Sequence, residues 1–342
     1  MFYQIAQKAL FATDPEWAHH FTMESLRLGH ILGVTRWVGS CAADLPVQCM
    51  GLRFPNPVGV AAGLDKNADY FESLGDLGFG CVEVGTVTPR PQPGNPRPRV
   101  FRLPEARALI NRLGFNSKGV DYLVQRVQRH RFKGILGINI GKNFDTPVER
   151  AADDYLHCLE KVYPFADYVT VNISSPNTQG LRSLQAGEAL NALLGGLAER
   201  RRKLMDAHGR RVPIAIKVAP DLDDADIREM ADIISNHAMD AVIATNTTIS
   251  RAGVEGMEHA TEPGGLSGAP LKARADAVLQ TFRRELPGNI ALIGVGGIAS
   301  GQDAADKLAL GANLVQFYTG MIYCGPALVG ECLAAIGGQR HA

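Results

Sequence analysis

Lys217 stands inside an otherwise apolar run, Ile214-Ala215-Ile216-Lys217-Val218. A lysine in such a run is rarely there for packing, so it reads as a functional group. Other short apolar runs also end on polar residues or glycine. In chain order these are Lys66, Thr86, Asn139, then Asn172 with Ser174, Ser175 and Asn177. Thr245-Asn246-Thr247, Gly296-Gly297 and Tyr318-Thr319-Gly320 follow. Amides and hydroxyls dominate the set, with two lysines. It contains no histidine and no pair of carboxylates. That argues against glycosidase chemistry, which needs paired acids, and against a zinc hydrolase, which needs His ligands. Amides present donors and acceptors side by side and suit a flat heterocycle with C=O and N–H edges. Lysines suit an anion, or a ring that gathers negative charge.

Two glycine-rich stretches add a second signal, Ile293-Gly294-Val295-Gly296-Gly297-Ile298 and Gly264-Gly265-Leu266-Ser267-Gly268. Backbone N–H groups free of side chains can cradle a phosphate. Tight turns alone would also explain either stretch. Joined to the lysines and asparagines, they point to a phosphorylated flat cofactor, and FMN fits best. Plainer readings stand beside several of these residues. Ser175 could cap the turn before Pro176, and Lys66 could lie in a surface loop.

The runs that carry these groups number eight: Val58–Ala62, Cys81–Val84, Ile135–Ile140, Tyr168–Ile173, Ile214–Val218, Ala241–Ala244, Ala291–Val295 and Leu314–Tyr318. They are continuous rather than alternating, as parallel strands covered on both faces should be. Helical patterns separate most of them, at 69–77, 119–129, 148–162, 187–208, 223–237, 271–286 and 301–310. The pattern predicts an α/β chain folded as a (β/α)8 TIM barrel, with its chemistry at the C-terminal strand ends. A doubly wound sheet would want Gly-x-Gly-x-x-Gly after its first strand. Ala61-Ala62-Gly63-Leu64-Asp65 is not one.

A barrel takes roughly 250 residues, and the chain has 342. Two segments hold the surplus. Residues 87–118 carry five prolines from Pro89 to Pro98 and then Arg99-Val100-Phe101-Arg102-Leu103, an insertion expected over the C-terminal face. Residues 1–40 read as two amphipathic helices, the second opened by Thr13-Asp14-Pro15-Glu16 and bearing Trp17 and Phe21. The barrel would then occupy 41–342. Lys plus Arg (35) balances Asp plus Glu (35), which argues against a nucleic-acid binder. No Cys-x-x-Cys occurs among the six cysteines, and no metal site is expected.

Several motifs together match a known family. They are Ala61-Ala62-Gly63-Leu64-Asp65-Lys66, Gly85 to Asn95, Asn111-Arg112-Leu113-Gly114-Phe115-Asn116, Asn172 to Thr178, and Ala244-Thr245-Asn246-Thr247-Thr248. On these the chain resembles class 2 dihydroorotate dehydrogenase, the quinone-dependent, membrane-associated flavoenzyme of pyrimidine synthesis. The resemblance runs essentially end to end. It implies FMN contacts at Ala61, Ala62, Gly63, Lys66, Thr86, Asn139, Asn172, Lys217, Thr245, Gly268, Gly297, Tyr318 and Thr319. It implies dihydroorotate contacts at Lys66, Asn111, Arg112, Leu113, Gly114, Phe115, Asn172, Asn177, Asn246 and Thr247.

Ser175 matches the family's catalytic base, with Thr178 a candidate for relaying its proton. The related soluble class has Cys at that place, so Ser here favours the quinone class. The resemblance further places His19 and Arg102 near a quinone head. It implies a monomer bound peripherally to the cytoplasmic side of the inner membrane. Two rivals remain at this level. One is a soluble FMN barrel using fumarate or NAD; the other is a non-catalytic barrel that binds a phosphorylated ligand.

Overall fold

The eight apolar runs form one closed barrel, in which every strand is covered on both faces. In the computed structural model, which describes residues 2–35 and 44–340, the chain opens with α1 (Phe2–Phe11) and α2 (Pro15–Ile31). A short hairpin follows, β1 (Val47–Cys49) and β2 (Leu52–Phe54). The barrel strands are β3 (Val58–Val60), β4 (Cys81–Val87), β7 (Ile135–Ile140), β8 (Tyr168–Asn172), β9 (Ile214–Val218), β10 (Ala241–Ala244), β12 (Ala291–Val295) and β13 (Leu314–Phe317). All pairs are parallel, and β13 closes on β3. Between and after them run α3 (Phe71–Gly75), α4 (Val120–Val127), α5 (Ala151–Val162), α6 (Gly187–His208), α7 (Asp224–Asn236), α8 (Lys272–Glu285) and α9 (Gly301–Ala309). The expected TIM barrel is present.

Register decides which side chains share a height. Asn172 pairs with Lys217, and Gly85 with Asn139. The alternate residues Ala215 and Lys217 therefore face inward on β9, with Ala215 lower and Lys217 at the rim. The hairpin β1–β2 plugs the floor. Cys49 and Phe54 pack there on Cys81, Tyr168, Ala241 and Leu314. Its two-residue turn, Met50-Gly51, has positive φ at both positions, the geometry that matches strand twist.

Residues 87–118 do cross the C-terminal face, and they carry structure of their own. β5 (Val100–Leu103) and β6 (Ala108–Asn111) form a hairpin. β11 (Gly265–Gly268) joins it, with Leu266 opposite Ile110. The stretch Gly265–Gly268, in the connection after β10, is thus a paired strand and not merely a tight turn. Its glycines are required by close approach, since a Cβ at Gly265 would strike Thr247 and one at Gly268 would strike the Arg107 carbonyl. Two further helices, α10 (Thr319–Cys324) and α11 (Ala327–Arg340), end the chain.

The two N-terminal helices are present. Asp14 caps α2 by accepting the Trp17 amide at 2.8 Å, and Pro15 occupies the first turn. Met23 enters the main core, while Trp17, Phe21, Leu28 and Ile31 are exposed. The expected boundary between 1–40 and 41–342 falls in 36–43, outside the described residues. No helix among the described residues is long and apolar enough to cross a membrane.

Candidate active site

The mouth of the barrel encloses a chamber with about 1140 Å³ of empty space, counting its opening. The strand ends bring most of the expected residues to it. Ala61, Ala62, Gly63 and Lys66 come from the loop after β3, and Thr86 from β4. Asn172, Ser175 and Asn177 come from the end of β8, and Lys217 from β9. Thr245, Asn246 and Thr247 follow β10, Gly268 ends β11, Gly297 follows β12, and Tyr318 and Thr319 follow β13. The segment after β6 supplies Asn111, Leu113, Gly114 and Phe115.

Two expected contacts stand back. Asn139 is fully buried behind Thr86, whose hydroxyl donates to it at 2.6 Å. Arg112 does not line the chamber. Its guanidinium pairs with Glu262 at 2.6 Å and lies over the Phe101 ring at 4.6 Å. The Arg112 carbonyl accepts from Asn95 Nδ2 at 2.8 Å.

The polar rim is pre-ordered. Asn172 Nδ2 donates to Thr86 at 2.9 Å, and Asn246 Nδ2 donates to Ser174 Oγ at 2.9 Å. Asn177 Nδ2 donates to the Asn111 carbonyl at 3.1 Å. Ser175 is buried, and its Oγ accepts the Asn177 amide at 3.2 Å. Among the described residues no hydrogen bond joins Ser175 to Thr178.

The two lysines differ in their surroundings. Lys217 is buried, and among the described residues nothing hydrogen-bonds its ammonium. Burial lowers its pKa, opposed by the charge of Glu83. Such a cation suits an anionic ring edge. Lys66 donates to the Gly63 carbonyl at 2.8 Å. Burial brings its pKa down to about 8, with Glu16 opposing and Arg99 assisting. Tyr318, also buried, has its pKa pushed up to about 12 and stays a neutral phenol. The donor set therefore fits a phosphorylated flavin. It has an unpartnered buried cation, an amide rim, and glycine-lined backbone at the ends of β12 and β13.

A second cavity, with about 2090 Å³ of empty space, opens between α1, α2 and the barrel. His19 and Arg102 both line it, as do Leu10, Phe11, Met23 and Leu26. Burial, and then the charge of Lys66, lowers the His19 pKa to about 4, so its imidazole is neutral. Arg102 donates to the carbonyls of Phe11 and Thr13 at 3.1 and 2.7 Å and covers the Phe11 ring. Lys66, Tyr318, Val100, Leu109 and Leu113 border both cavities.

Two groups near these cavities escaped the sequence reading. Arg99 is buried and clamps Glu16 of α2 at 2.9 and 3.0 Å. It also holds the carbonyls of Pro93 and Asn95, at 2.7 and 2.9 Å. Glu83 is buried in the barrel interior. The signal for Glu83 was present, a lone charge in the apolar run Cys81–Val84, the same argument that exposed Lys217.

A closed parallel barrel with a polar chamber at its strand C-termini is the architecture of a TIM-barrel enzyme. Known proteins narrow that class. The family model of dihydroorotate dehydrogenase matches residues 44–337. The chain is 57% identical over 338 residues to "Dihydroorotate dehydrogenase (quinone)" of Azotobacter vinelandii, covering 99% of this chain and 97% of that one. It is 56% identical to the protein of the same name from Pseudomonas fluorescens, covering 99% and 100%. The crystal structure of the Eimeria tenella dihydroorotate dehydrogenase in complex with ferulenol aligns with a TM-score of 0.85 at 37% identity, over 96% of this chain and 92% of that one. The chain belongs to the dihydroorotate dehydrogenase family.

Proposed function

We propose that this enzyme oxidises (S)-dihydroorotate to orotate in pyrimidine biosynthesis, with FMN as its flavin and a membrane quinone as final acceptor. The observation that carries this reading is the meeting of two cavities at Lys66 and Tyr318. One is polar and can hold a flat heterocycle with the flavin. The other is apolar and opens between the N-terminal helices. Such an arrangement suits two half-reactions on opposite sides of one redox group.

Bound FMN would supply the acceptor for the hydride leaving C6 of dihydroorotate. Ser175 takes the C5 proton, and Asn177 positions it through the backbone hydrogen bond to its Oγ. A serine hydroxyl is a weak base, so the proton needs an onward route, for which Thr178 is the candidate. Lys66 would neutralise the substrate carboxylate, and Lys217 would help hold the flavin at the edge where its negative charge is best stabilised. Asn111, Asn172, Asn177 and Asn246 read the ring edges. His19 and Arg102 sit where a quinone head would approach. The enzyme attaches peripherally to the cytoplasmic side of the inner membrane, as a monomer, through α1 and α2.

An acceptor panel tests this reading. Turnover of dihydroorotate should proceed with a short-chain ubiquinone and fail with fumarate or NAD. Turnover with fumarate or NAD alone would assign the chain to the soluble mode instead.

A further inference from the structure

The Glu83 carboxylate lies inside the barrel, fully buried, and the chemistry above leaves it unused. Four donors converge on it. Asn139 Nδ2 reaches Oε1 at 2.8 Å. Tyr168 OH, Thr170 Oγ1 and Gln316 Nε2 reach Oε2 at 2.9, 3.0 and 3.1 Å. A carboxylate oxygen accepts, and one of these bonds falls on Oε1 and three on Oε2. Gln316 shows how strongly it orients its neighbours. The amide nitrogen of Gln316 faces Glu83, while its oxygen is left buried with no partner.

From Glu83 a file of hydrogen bonds climbs to the chamber. Asn139 gives its N–H to Glu83, so its oxygen faces upward and accepts from Thr86 at 2.6 Å. The Thr86 oxygen then accepts from Asn172 Nδ2 at 2.9 Å. That turns Asn172 Oδ1 toward Ser174 Oγ at 3.0 Å and Asn246 Nδ2 at 3.3 Å. Asn246 Oδ1 in turn accepts the Thr247 amide at 2.8 Å. Asparagine has the same shape after a half-turn of its amide, and a hydroxyl donates either way. A file made only of such groups has two polarities. Here both ends are fixed: Glu83 only accepts at the lower end, and the backbone N–H groups of Ser174 and Thr247 only donate at the upper end, to Asn172 Oδ1 at 3.3 Å and Asn246 Oδ1 at 2.8 Å.

We propose that Glu83 is a positioning residue whose carboxylate anchors the lower end of the Asn139–Thr86–Asn172–Asn246 file, and with it the pattern of donors and acceptors shown to the substrate ring. This rests on the dihydroorotate reading of the chamber. The same carboxylate supports the charge of Lys217 against burial.

The test is calorimetric titration of flavin-loaded enzyme with orotate, alongside steady-state kinetics with a dye acceptor. Glu83→Gln keeps the shape and adds a donor, which frees Asn139 to turn. It should weaken orotate about tenfold and raise KM for dihydroorotate in proportion, with kcat changing less. Asn139→Ala cuts the file without touching the chamber wall and should cause the same loss. The double variant should be no weaker than either single. Additive losses overturn the proposal, as does unchanged orotate affinity in a folded Glu83→Gln. If Glu83→Gln does not fold, unchanged affinity in Asn139→Ala overturns it. A wild type that fails to bind orotate overturns the reading of the chamber itself, and Glu83's role with it.

Discussion

In the proposed reaction Ser175 would take the proton and Lys66 would neutralise the substrate carboxylate; the Ser175 hydroxyl accepts a backbone amide, and burial brings the Lys66 pKa down to about 8. Removing the hydroxyl should leave the pocket's shape intact. Ser175→Ala is expected to slow flavin reduction by about 10²–10⁴-fold in stopped-flow, with orotate binding largely kept. Near-normal reduction would remove Ser175 from that role. Lys66, with its pKa near 8, is a cation below that pH and neutral above it. Attraction for the substrate carboxylate is therefore present at low pH and lost as pH rises. KM for dihydroorotate should climb by roughly tenfold per unit once pH passes the pKa. A flat KM across about pH 7 to 10 would contradict the assignment. Most of these residues were legible because charge or amide at the end of an apolar run is costly without a purpose. Asn139 and Arg112 were assigned direct contacts, yet one stands a layer behind Thr86 and the other turns out to Glu262. Spacing tells which strand end a residue occupies, not which way its side chain turns.

At the scale of elements, α1 and α2 cover the second cavity and are tied down along their length, with Tyr70 donating to Glu24 at 2.7 Å and His30 bonded to Asp76 at 2.6 Å. Tyr3 and Gln7 donate to carbonyls of α10, at 2.7 Å to Ile322 and 2.9 Å to Tyr323. Met23 enters the core, and Arg99 clamps Glu16. The chamber itself is built from the barrel and its inserted hairpin. Deleting residues 1–40 should abolish quinone reduction while dihydroorotate at saturation still reduces the flavin. Loss of both activities in a folded truncation would refute the division of labour. The barrel strands were readable to within two residues at each end, save β4, which runs three residues past Val84 to Val87, because burial on both faces marks them as continuous runs. The floor hairpin was not. Its turn uses Met50, a residue type that gives no turn signal, at φ 55°. β11 hid for a similar reason, since four residues rich in glycine look like a loop until a partner strand is in place.

For the whole molecule, the surplus over a minimal barrel settles into two additions that meet. The inserted hairpin β5–β6 and the N-terminal helices share the border of the second cavity through Val100, Leu109 and Leu113. Outward, α2 and the turn after it expose Trp17 at 53% and Ile31 at 65%, with Phe21, Leu28, Leu32 and Val34 beside them. A patch of that kind marks an interaction surface. Formal net charge is zero, so attachment to lipid should rest on apolar burial. Binding to neutral vesicles should survive about 1 M salt, where the Debye length is only about 3 Å. Release at that salt would point to electrostatic attachment instead. Trp17→Ala with Phe21→Ala should weaken vesicle binding about tenfold or more.

The central claim is one flavin serving two cavities, and anaerobic absorbance of the purified enzyme tests it most directly. The protein should be yellow, with a band near ~450 nm characteristic of a bound oxidised flavin. Dihydroorotate should bleach that band, and a short-chain quinone added afterwards should restore it. A colourless protein, or a band that dihydroorotate leaves untouched, would contradict the account.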